Sequence, residues 1–353
     1  MLKSYCLVTG GAGFIGCAIA PFLLERFETV HVMDNLHPQI HANGTLPKAL
    51  DSRVIFHKGD VTASEDWDLV LEAVSPAVIV HLAAETGTGQ SLTEANRHGF
   101  VNVVGTTQML DALTRHGVLP ESIVLTSSRA VYGEGLWVDG LGNGVYPGQR
   151  TRQQLQNGVW DFEGLTATPF VSSKTEPRPT SVYGATKLAQ EHVLSAWCLS
   201  FGVTPVLLRL QNVYGPGQSL INPYTGIVSL FSRLAKSGAS IPVYEDGEII
   251  RDFVFIDDVA AAIVSAMDAG PSVSGNAYDV GSGEATSILA LATLIARHYG
   301  APSPHINGAF RFGDVRHASC NIDASCSALR WMPETMIADG VERLCHWIDG
   351  QVQ

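Results

Sequence analysis

The sequence predicts an α/β fold: a Rossmann-type doubly wound parallel sheet with a smaller C-terminal α/β substrate-binding lobe. Two observations predict the sheet, because short apolar runs alternate with longer amphipathic stretches and a glycine-rich loop follows the first run. A third observation predicts the lobe, since Pro and Gly punctuate short elements beyond Tyr214. We therefore expect a Rossmann domain at residues 1–213 and the lobe at residues 214–353, with some of the chain crossing back.

The apolar runs predict the strands in chain order, at residues 5–8, 30–33, 54–57, 77–81, 123–126 and 205–208. The amphipathic stretches predict helices at residues 14–27, 91–116 and 182–201. Residues 134–179 are rich in Gly, Gln, Asn, Thr and Ser, and they are too long for a simple connection in a compact domain. This insertion is either a functional flap or a segment at a subunit interface.

Composition limits the classes of function. The 353 residues include 22 basic and 34 acidic side chains, so the formal charge of −12 disfavours nucleic acid and anionic membranes as partners. Hydrophobic residues make up 46% of the chain and charged residues 16%, which excludes a disordered protein. The 6 cysteines include no CxxC pair, which argues against a zinc ribbon or a disulfide framework and predicts reduced thiols.

The sequence predicts neither a membrane span nor a signal peptide. The uncharged stretch at residues 5–24 contains four glycines, where a signal or membrane helix is continuously apolar. We therefore expect a cytoplasmic protein without a membrane partner. His37 and His41 share a helical spacing, but no further ligand lies nearby in the sequence, so no metal site is predicted.

A dinucleotide fingerprint follows the first predicted strand. Gly10, Gly13 and Gly16 are spaced three apart and lead into the first helix, which permits a tight turn and close approach of the backbone to a pyrophosphate. Asp34 follows Gly10 by 24 residues, at a strand end where a carboxylate accepts hydrogen bonds from the adenosine ribose. A carboxylate there disfavours a 2′-phosphate, so residues 1–213 are predicted to bind NAD rather than NADP.

Other strand ends point at the same crevice. Asp60 and residues 81–84 follow the next predicted strands, although ordinary turn chemistry would explain either of them equally well. The predicted cofactor contacts in the first part of the chain are Gly10, Gly13, Phe14, Ile15, Gly16, Asp34, Asn35, Asp60, Val61, Leu82, Ala83 and Ala84.

A YxxxK pair opens the helix at residues 182–201. The spacing of four places the Tyr183 phenol and the Lys187 ammonium on one helix face. With the glycine loop and the segment SSRAVYG that contains Ser128, this pair makes the sequence resemble the extended short-chain dehydrogenase/reductase family, specifically its nucleotide-sugar epimerases and dehydratases. Matches cover nearly the whole chain, and they include NVVGT from Asn102, RLQNVYGPG from Arg209 and RDFVFIDDV from Arg251.

The resemblance implies a role for each member of this set. Tyr183 is implied as the acid/base, Lys187 as its electrostatic partner and ribose ligand, and Ser128 as the hydrogen-bond partner of the reacting hydroxyl. Asn102, Tyr183 and Lys187 thereby join the cofactor contacts. Bringing a tyrosine pKa from about 10 to about 7 takes roughly 4 kcal/mol of preferential stabilisation of the phenolate. Lys187 and the positive nicotinamide ring are the charges able to supply it.

Two positions depart from the dehydratase pattern. In the 4,6-dehydratases the two residues after the Ser/Thr position are acidic, because elimination of water needs an extra acid and base. Here those positions hold Arg129 and Ala130. This departure argues against a dehydratase and against a nucleotide-sugar decarboxylase, and it leaves a 4-epimerase or a simple reductase.

Arginines are the expected ligands for an anionic substrate on an acidic protein, since the guanidinium fork suits phosphate oxygens. By resemblance, Asn212, Arg251 and Arg311 face the diphosphate of a nucleotide sugar, with Arg316 as a fourth member. Surface or interface salt bridges are the alternative for these arginines. The full set of predicted substrate contacts is Glu85, Thr86, Ser128, Arg129, Gln211, Asn212, Arg251, Arg311 and Arg316.

The segments at residues 85–92, 210–220 and 222–227, together with the insertion, resemble one subgroup of the family, the bacterial dTDP-L-rhamnose 4-epimerases. This resemblance implies a 4-epimerase whose NAD stays tightly bound and is regenerated in each turnover. A UDP-hexose 4-epimerase, an NAD(P)-dependent nucleotide-sugar reductase or dehydrogenase and, remotely, a non-catalytic NAD-sensing protein stay open. Relatives commonly dimerise through two helices, here residues 91–116 and 182–201, so a homodimer is expected.

Overall fold

The computed structural model describes residues 3–41, 43–220 and 226–351. In this part of the chain the strands, β1 to β17 in order, are Lys3–Thr9, Phe27–Asp34, Ile55–Lys58, Val78–His81, Ser122–Ser128, Trp137–Asp139, Gly144–Val145, Leu165–Ala167, Thr204–Leu210, Asn212–Tyr214, Pro242–Val243, Ile250–Arg251, Phe253–Phe255, Ala277–Val280, Thr286–Ser287, His305–Ile306 and His317–Ala318. The α-helices, α1 to α11, are Phe14–Leu24, Ser64–Ala73, Ala95–His98, Gly105–Arg115, Arg152–Gln156, Val182–Phe201, Ile227–Lys236, Ile256–Ala269, Ile288–Tyr299, Asp323–Leu329 and Ile337–Gln351.

The main sheet has seven strands in the order β14, β9, β5, β4, β1, β2, β3. Every neighbouring pair in this sheet is parallel. The predicted doubly wound α/β class is therefore confirmed. The chain runs from β1 to β3 on one side and from β4 to β14 on the other, so the direction of winding changes between β1 and β4. Ligands of such sheets bind in the crevice at the carboxyl ends of the strands beside this point.

Both faces of the sheet are buried, which explains why its strands are continuous apolar runs. Side chains alternate along each strand: Val8 and Val80 pack with α1 and α8 on one face, whereas Leu7 and Ile79 pack with α2 and α4 on the other. A separate cluster fills the C-terminal lobe between α7, α9 and α11. The sheet thus fixes the positions of the loops that leave its carboxyl edge.

The helix predicted at residues 91–116 begins later than expected. A single 3₁₀ turn at Gln90–Leu92 is separated from α3 by Glu94, whose backbone angles of −121° and 41° are not helical. After α3 the chain continues as a π-helix at Gly99–Val104 before α4. Neither irregular segment contains proline, so the sequence gives no signal of a break in the predicted helix.

Two segments connect the sheet to the rest of the molecule. Strand β14, from the region beyond residue 214, is an outer strand of the main sheet, and α8 packs against α1. The division at residues 213 and 214 stays a prediction. The insertion at residues 134–179 contains α5 and a three-stranded antiparallel sheet of β6, β7 and β8.

Among the described residues, no helix has the length and hydropathy that crossing a membrane requires. In the same part of the chain, no group of three or more His, Cys, Asp and Glu side chains could hold a metal ion. All 6 cysteines are free thiols. Most of the segment predicted at residues 222–227, namely residues 222–225, lies outside the described residues.

Candidate active site

The glycine loop between β1 and α1 has no room for side chains. Gly10 has a φ of +65°, and a Cβ built on it would lie 2.7 Å from the backbone nitrogen of Ala83. A Cβ on Gly13 would lie 3.1 Å from the carbonyl oxygen of Gly10, and one on Gly16 would meet the backbone of Gly11. Gly13 caps α1 without a side-chain hydrogen bond. The backbone N–H groups of the first turn, including those of Phe14 and Ile15, therefore remain available to a phosphate.

Asp34 joins this loop to the end of β2. One of its oxygens accepts a hydrogen bond from the Ala12 N–H at 3.1 Å, and the other accepts from the Leu36 N–H at 2.8 Å. A carboxylate has about four acceptor sites, so these two bonds leave capacity for ribose hydroxyls. Asn35 donates to Asp60 at 2.9 Å, which brings the ends of β2 and β3 together.

These contacts place the predicted residues of the first four strands along one crevice. Val61 is buried beside Asp60, and Leu82, Ala83 and Ala84 continue from β4 alongside Gly10. The glycine-rich loop, the uncapped N-terminus of α1 and the adjacent Asp34 carboxylate fit a dinucleotide.

Asn102 does something other than the predicted cofactor contact. Its amide N–H groups donate to the Glu85 carbonyl at 3.0 Å and to the Thr186 hydroxyl at 2.9 Å. Its amide oxygen accepts from the Glu85 N–H at 2.7 Å. Because both amide N–H groups are used within the protein, Asn102 fastens the loop after β4 to α6 rather than offering a donor to a ligand.

Ser128, Tyr183 and Lys187, the predicted catalytic residues, lie at the end of β5 and in the first turns of α6. Ser128 is the last residue of β5, and α6 begins at Val182 because the Ser181 hydroxyl accepts from the Gly184 N–H at 3.0 Å. This start brings Tyr183 into a hydrogen bond with Ser128. Burial raises the pKa of Tyr183, whereas the Ser128 hydrogen bond and the Arg129 charge lower it. Burial outweighs the other two effects, so the pKa of Tyr183 is raised overall. The Ser128 hydrogen bond and the Arg129 charge are the interactions that favour the phenolate of a general base.

Lys187 lies one turn further along α6. Its side chain is buried, with 2% relative exposure, and it makes no hydrogen bond or ion pair among the described residues. Burial lowers its pKa to about 7, and the nearby Glu191 carboxylate opposes that shift. A buried ammonium with three N–H donors and no protein acceptor fits the hydroxyls of a bound ribose.

Arg129, which lies beside Tyr183, and its neighbour Arg251 have no carboxylate partner within 4.0 Å among the described residues. Arg129 donates only to the Asn212 amide oxygen at 2.8 Å, and the buried Arg251 donates only to the Ile250 carbonyl at 2.7 Å. Burial and the charge of Arg251 together lower the pKa of Arg129 to about 9, against the opposing charges of Asp314 and Glu134. Two neighbouring cations without a carboxylate in direct contact in the described residues make this a favourable place for an anion.

The other predicted substrate residues differ in burial and in their partners. Gln211 is buried next to Asn212. Arg311 is exposed, with its guanidinium 5.4 Å from the centre of the Tyr244 ring. Glu85 and Thr86 lie in the loop after β4, and the Glu85 carboxylate is paired with Arg97 at 2.7 Å.

Arg316 contradicts its predicted role. Its five N–H groups donate to Asp161, Asp246 and Glu245 at distances between 2.7 and 3.3 Å. With every donor taken by a carboxylate, Arg316 has none left for a diphosphate. It joins the insertion to the C-terminal lobe instead.

The sequence interpretation missed Glu191 and Glu134. Glu191 follows Lys187 by four residues, so it shares that helix face; it accepts two hydrogen bonds from Arg209, at 3.0 and 2.7 Å, and a short one from Ser127. The YxxxK spacing continued by one turn would have revealed it. Glu134 is buried near Arg251, and burial raises its pKa to about 7. No sequence signal marks Glu134 beyond its position after the SSRAVYG segment.

Comparisons with known proteins agree with this geometry. The model of the NAD dependent epimerase/dehydratase family matches residues 6–281. A dTDP-L-rhamnose 4-epimerase from Burkholderia thailandensis is 59% identical over 342 residues, which cover 97% of this chain and 94% of that protein. A UDP-glucose 4-epimerase from Mycolicibacterium smegmatis is 30% identical over 351 residues, which cover 98% of this chain and 99% of that protein.

A solved structure extends the similarity to three dimensions. The UDP-glucose 4-epimerase of Thermus thermophilus in complex with NAD is 29% identical, with a TM-score of 0.77. The match covers 99% of this chain and 100% of that chain.

Proposed function

The chain belongs to the NAD dependent epimerase/dehydratase family, and from that premise we propose that it is a 4-epimerase converting dTDP-L-rhamnose to dTDP-6-deoxy-L-talose. The similarity along nearly the whole chain to a dTDP-L-rhamnose 4-epimerase carries the choice of substrate. Arg129, beside Tyr183, and its neighbour Arg251 make no ion pair in the described part of the chain, which supports a nucleotide diphosphate as the anionic part of that substrate.

In each turnover the site takes one proton from the sugar O4 hydroxyl and later returns one to the same oxygen. NAD, when bound, accepts the hydride from C4 of the sugar and returns it, chemistry that no side chain replaces. The Tyr183 phenolate accepts the proton of the sugar O4 hydroxyl, and the resulting phenol later gives a proton back to O4. Ser128, hydrogen-bonded to Tyr183, holds the reacting hydroxyl in line with the phenol. Lys187 and Arg129 stabilise the phenolate by their charge.

The returned hydride makes the reaction an isomerisation. Between the two transfers the 4-keto sugar turns over, so that its opposite face receives the hydride. No net oxidation results, and the cofactor is ready for the next turnover. The absence of acidic side chains at positions 129 and 130 supports this outcome over dehydration, because elimination needs an additional acid and base.

We also infer that the protein acts as a homodimer in the cytoplasm. Phe100 and Leu199 are large apolar side chains on the two helical segments expected to pair, with relative exposures of 50% and 64%. A second copy would cover such surfaces. Light scattering should give twice the monomer mass, and a charged residue in place of Phe100 should lower it.

The test of the proposed activity uses purified protein without added cofactor. The protein is incubated with dTDP-L-rhamnose or with UDP-glucose, products are followed by NMR, and NADH is followed by its absorbance. We expect the C4 epimer of dTDP-L-rhamnose without net NADH. A preference for UDP-glucose would move the substrate to the UDP-hexoses. Turnover only with stoichiometric NAD(H) would overturn the epimerase in favour of a reductase or dehydrogenase.

The matched control is Tyr183→Phe, which removes only the hydroxyl. It should bind NAD as the parent does and lose turnover by at least about a hundredfold, the lower range for a general acid–base group. Retained activity would refute the role of Tyr183 without changing the substrate assignment.

A further inference from the structure

A cluster of polar side chains joins the loop after β2 to the loop after β4. Gln39 and Gln90 exchange two amide hydrogen bonds, at 3.0 and 3.1 Å. Arg97 donates to Gln39 at 3.2 Å, to Glu85 at 2.7 Å and to Glu94 at 2.9 Å. We name this set, Arg97 with Gln39, Gln90, Glu85 and Glu94, the Arg97 bridge.

The Arg97 bridge connects two segments that flank the glycine loop. Strand β1 lies between β2 and β4 in the sheet, so the loop that follows β1 lies between the loops that follow its neighbours. Asp34 contacts the glycine loop from one side through the Ala12 N–H, and Ala83 lies against Gly10 from the other. The bridge joins these same two segments a second time, five residues after Asp34 and seven after Ala83. The contacts therefore join the glycine loop and the loops after β2 and β4 into a closed ring.

We propose that the Arg97 bridge is a latch that retains NAD between turnovers. The inference rests on the NAD-dependent function proposed above, and it concerns the release of the cofactor rather than the chemistry. An enzyme that regenerates its cofactor in every cycle has no need to release it, so a closed ring costs nothing in rate. A dehydrogenase, by contrast, must open the same crevice once in each cycle.

The chemistry of the bridge suits a latch that opens slowly. Gln90 is buried, with 3% relative exposure, and it anchors one end on the loop after β4. The side chain of Arg97 is 29% exposed and that of Glu85 is 14% exposed, so the ion pair between them is reached by solvent ions. Salt screens such pairs, which makes the strength of the latch depend on ionic strength. A purely structural contact within the core would not show that dependence.

The test measures release of the cofactor directly. Protein loaded with NADH is mixed with a large excess of NAD+, and the loss of bound NADH fluorescence gives the dissociation rate. NAD content after purification is measured in parallel by acid release and chromatography. Arg97→Met removes every charged donor of the bridge, and Gln39→Leu removes the amide exchange as a second, independent variant. Arg115→Met is the matched control, because Arg115 lies on the following helix and pairs with Asp68 away from the crevice.

We expect Arg97→Met to release NADH about tenfold faster or more, since changes to one binding site act mostly on dissociation. Its NAD content after purification should fall, whereas kcat at saturating NAD should stay near that of the parent. Added salt should speed release from the parent and from Arg115→Met but not from Arg97→Met. Gln39→Leu should lie between the parent and Arg97→Met.

Equal dissociation rates in the parent, Arg97→Met and Gln39→Leu would overturn the latch. Faster release in Arg97→Met alone, without any salt effect in the parent, would also overturn it, since local damage to the fold would explain that result. Slow release from a parent that epimerises no sugar would support the latch while refuting the proposed activity.

Discussion

Two pairs of arginines near the site differ in what surrounds them. Arg150 and Arg316 lie where the insertion meets the C-terminal lobe, and their guanidinium groups are surrounded by carboxylates. Arg129 lies beside Tyr183 and Arg251 beside Arg129, and neither has a carboxylate within ion-pair distance in the described residues. Arg150, Arg251 and Arg316 are buried and Arg129 is half-buried, so the neighbouring side chains decide what each pair does.

The first pair holds the molecule together. Arg150 makes a two-point contact with Glu245 at 2.7 and 2.9 Å, and Arg316 makes two-point contacts with Asp161 and Asp246. These bonds join the insertion to the segment around residue 245. The second pair is less well compensated, because its two neighbouring cations repel each other and the nearby Asp314 and Glu134 carboxylates make no ion pair with them. Such an arrangement persists where function requires it.

The same contacts bear on the two interpretations of the insertion. Arg150 also donates to the Asp314 carbonyl at 2.9 Å, and Gly313 lies beside Gln149 and Leu92. The insertion therefore fixes the segment that carries Arg311 next to the loop after β4. This arrangement favours the insertion as a wall of the substrate site over a segment used only at a subunit interface.

The largest effect expected from this comparison is on stability. Arg150→Met leaves Glu245 buried without its main partner, and breaking one side of a buried ion pair costs about 3 to 5 kcal/mol in the free energy of unfolding. The double substitution Arg150→Met with Glu245→Gln should recover much of that loss. Urea unfolding of both variants checks the prediction. An Arg150→Met protein as stable as the parent would remove the distinction between the two pairs.

Arg251→Met should behave in the opposite way. Losing a charged hydrogen-bond donor to a phosphate raises KM by about 10- to 100-fold. The melting temperature should change little, because the lost repulsion from Arg129 offsets the lost attraction to Glu134 and Asp314. Steady-state kinetics and thermal unfolding of the same preparation separate the two effects. Loss of stability with an unchanged KM would assign Arg251 to the structural group.

Arg129→Met should act through pH as well as through binding. The charge of Arg129 lowers the pKa of Tyr183, so its removal raises that pKa and leaves less phenolate at neutral pH. The rising limb of kcat against pH should therefore move to higher pH, with about a tenfold loss at pH near 7 that recovers in alkaline buffer. A profile parallel to that of the parent would limit Arg129 to substrate binding.

The smallest effect concerns Glu134, the buried carboxyl near the second pair. Burial raises its pKa from 4.5 to about 7, so the folded protein binds its proton more tightly than the unfolded chain does. The stability that this group contributes is fully present below 4.5 and is lost as pH rises through about 7. Glu134→Gln does not titrate, so the parent should lose stability relative to this variant between those two pH values. Melting temperatures across that range measure the difference, and a constant difference would contradict the assignment.

The fold and the catalytic residues could be predicted from the sequence, because each of them depends on a short stretch of chain. Continuous apolar runs indicate strands that are buried on both faces. The spacing of Gly10, Gly13 and Gly16 indicates a backbone that leaves no room for a Cβ. The pairing of Tyr183 with Lys187 follows from helix geometry alone. Each of these signals lies within a short stretch of chain.

The charge partners could not be predicted in the same way. Arg316 looks like Arg251 in the sequence, yet its carboxylates come from about 70 or more positions away, at Glu245, Asp246 and Asp161. Asn102 matched a family motif, but its hydrogen bonds to Glu85 and Thr186 depend on how α6 packs against the loop after β4. Long-range contacts decide these roles, and no spacing rule in a single sequence encodes them.

The proposed epimerisation requires that the hydride removed from C4 returns to the same carbon within one enzyme molecule. The most direct measurement uses dTDP-L-rhamnose labelled with deuterium at C4, purified protein and ordinary water, with excess unlabelled NADH in solution. We expect the 6-deoxytalose product to keep its full deuterium at C4, and the NADH pool to contain none. NMR and mass spectrometry measure both. Replacement of the deuterium by hydrogen from water or from the free NADH would contradict it.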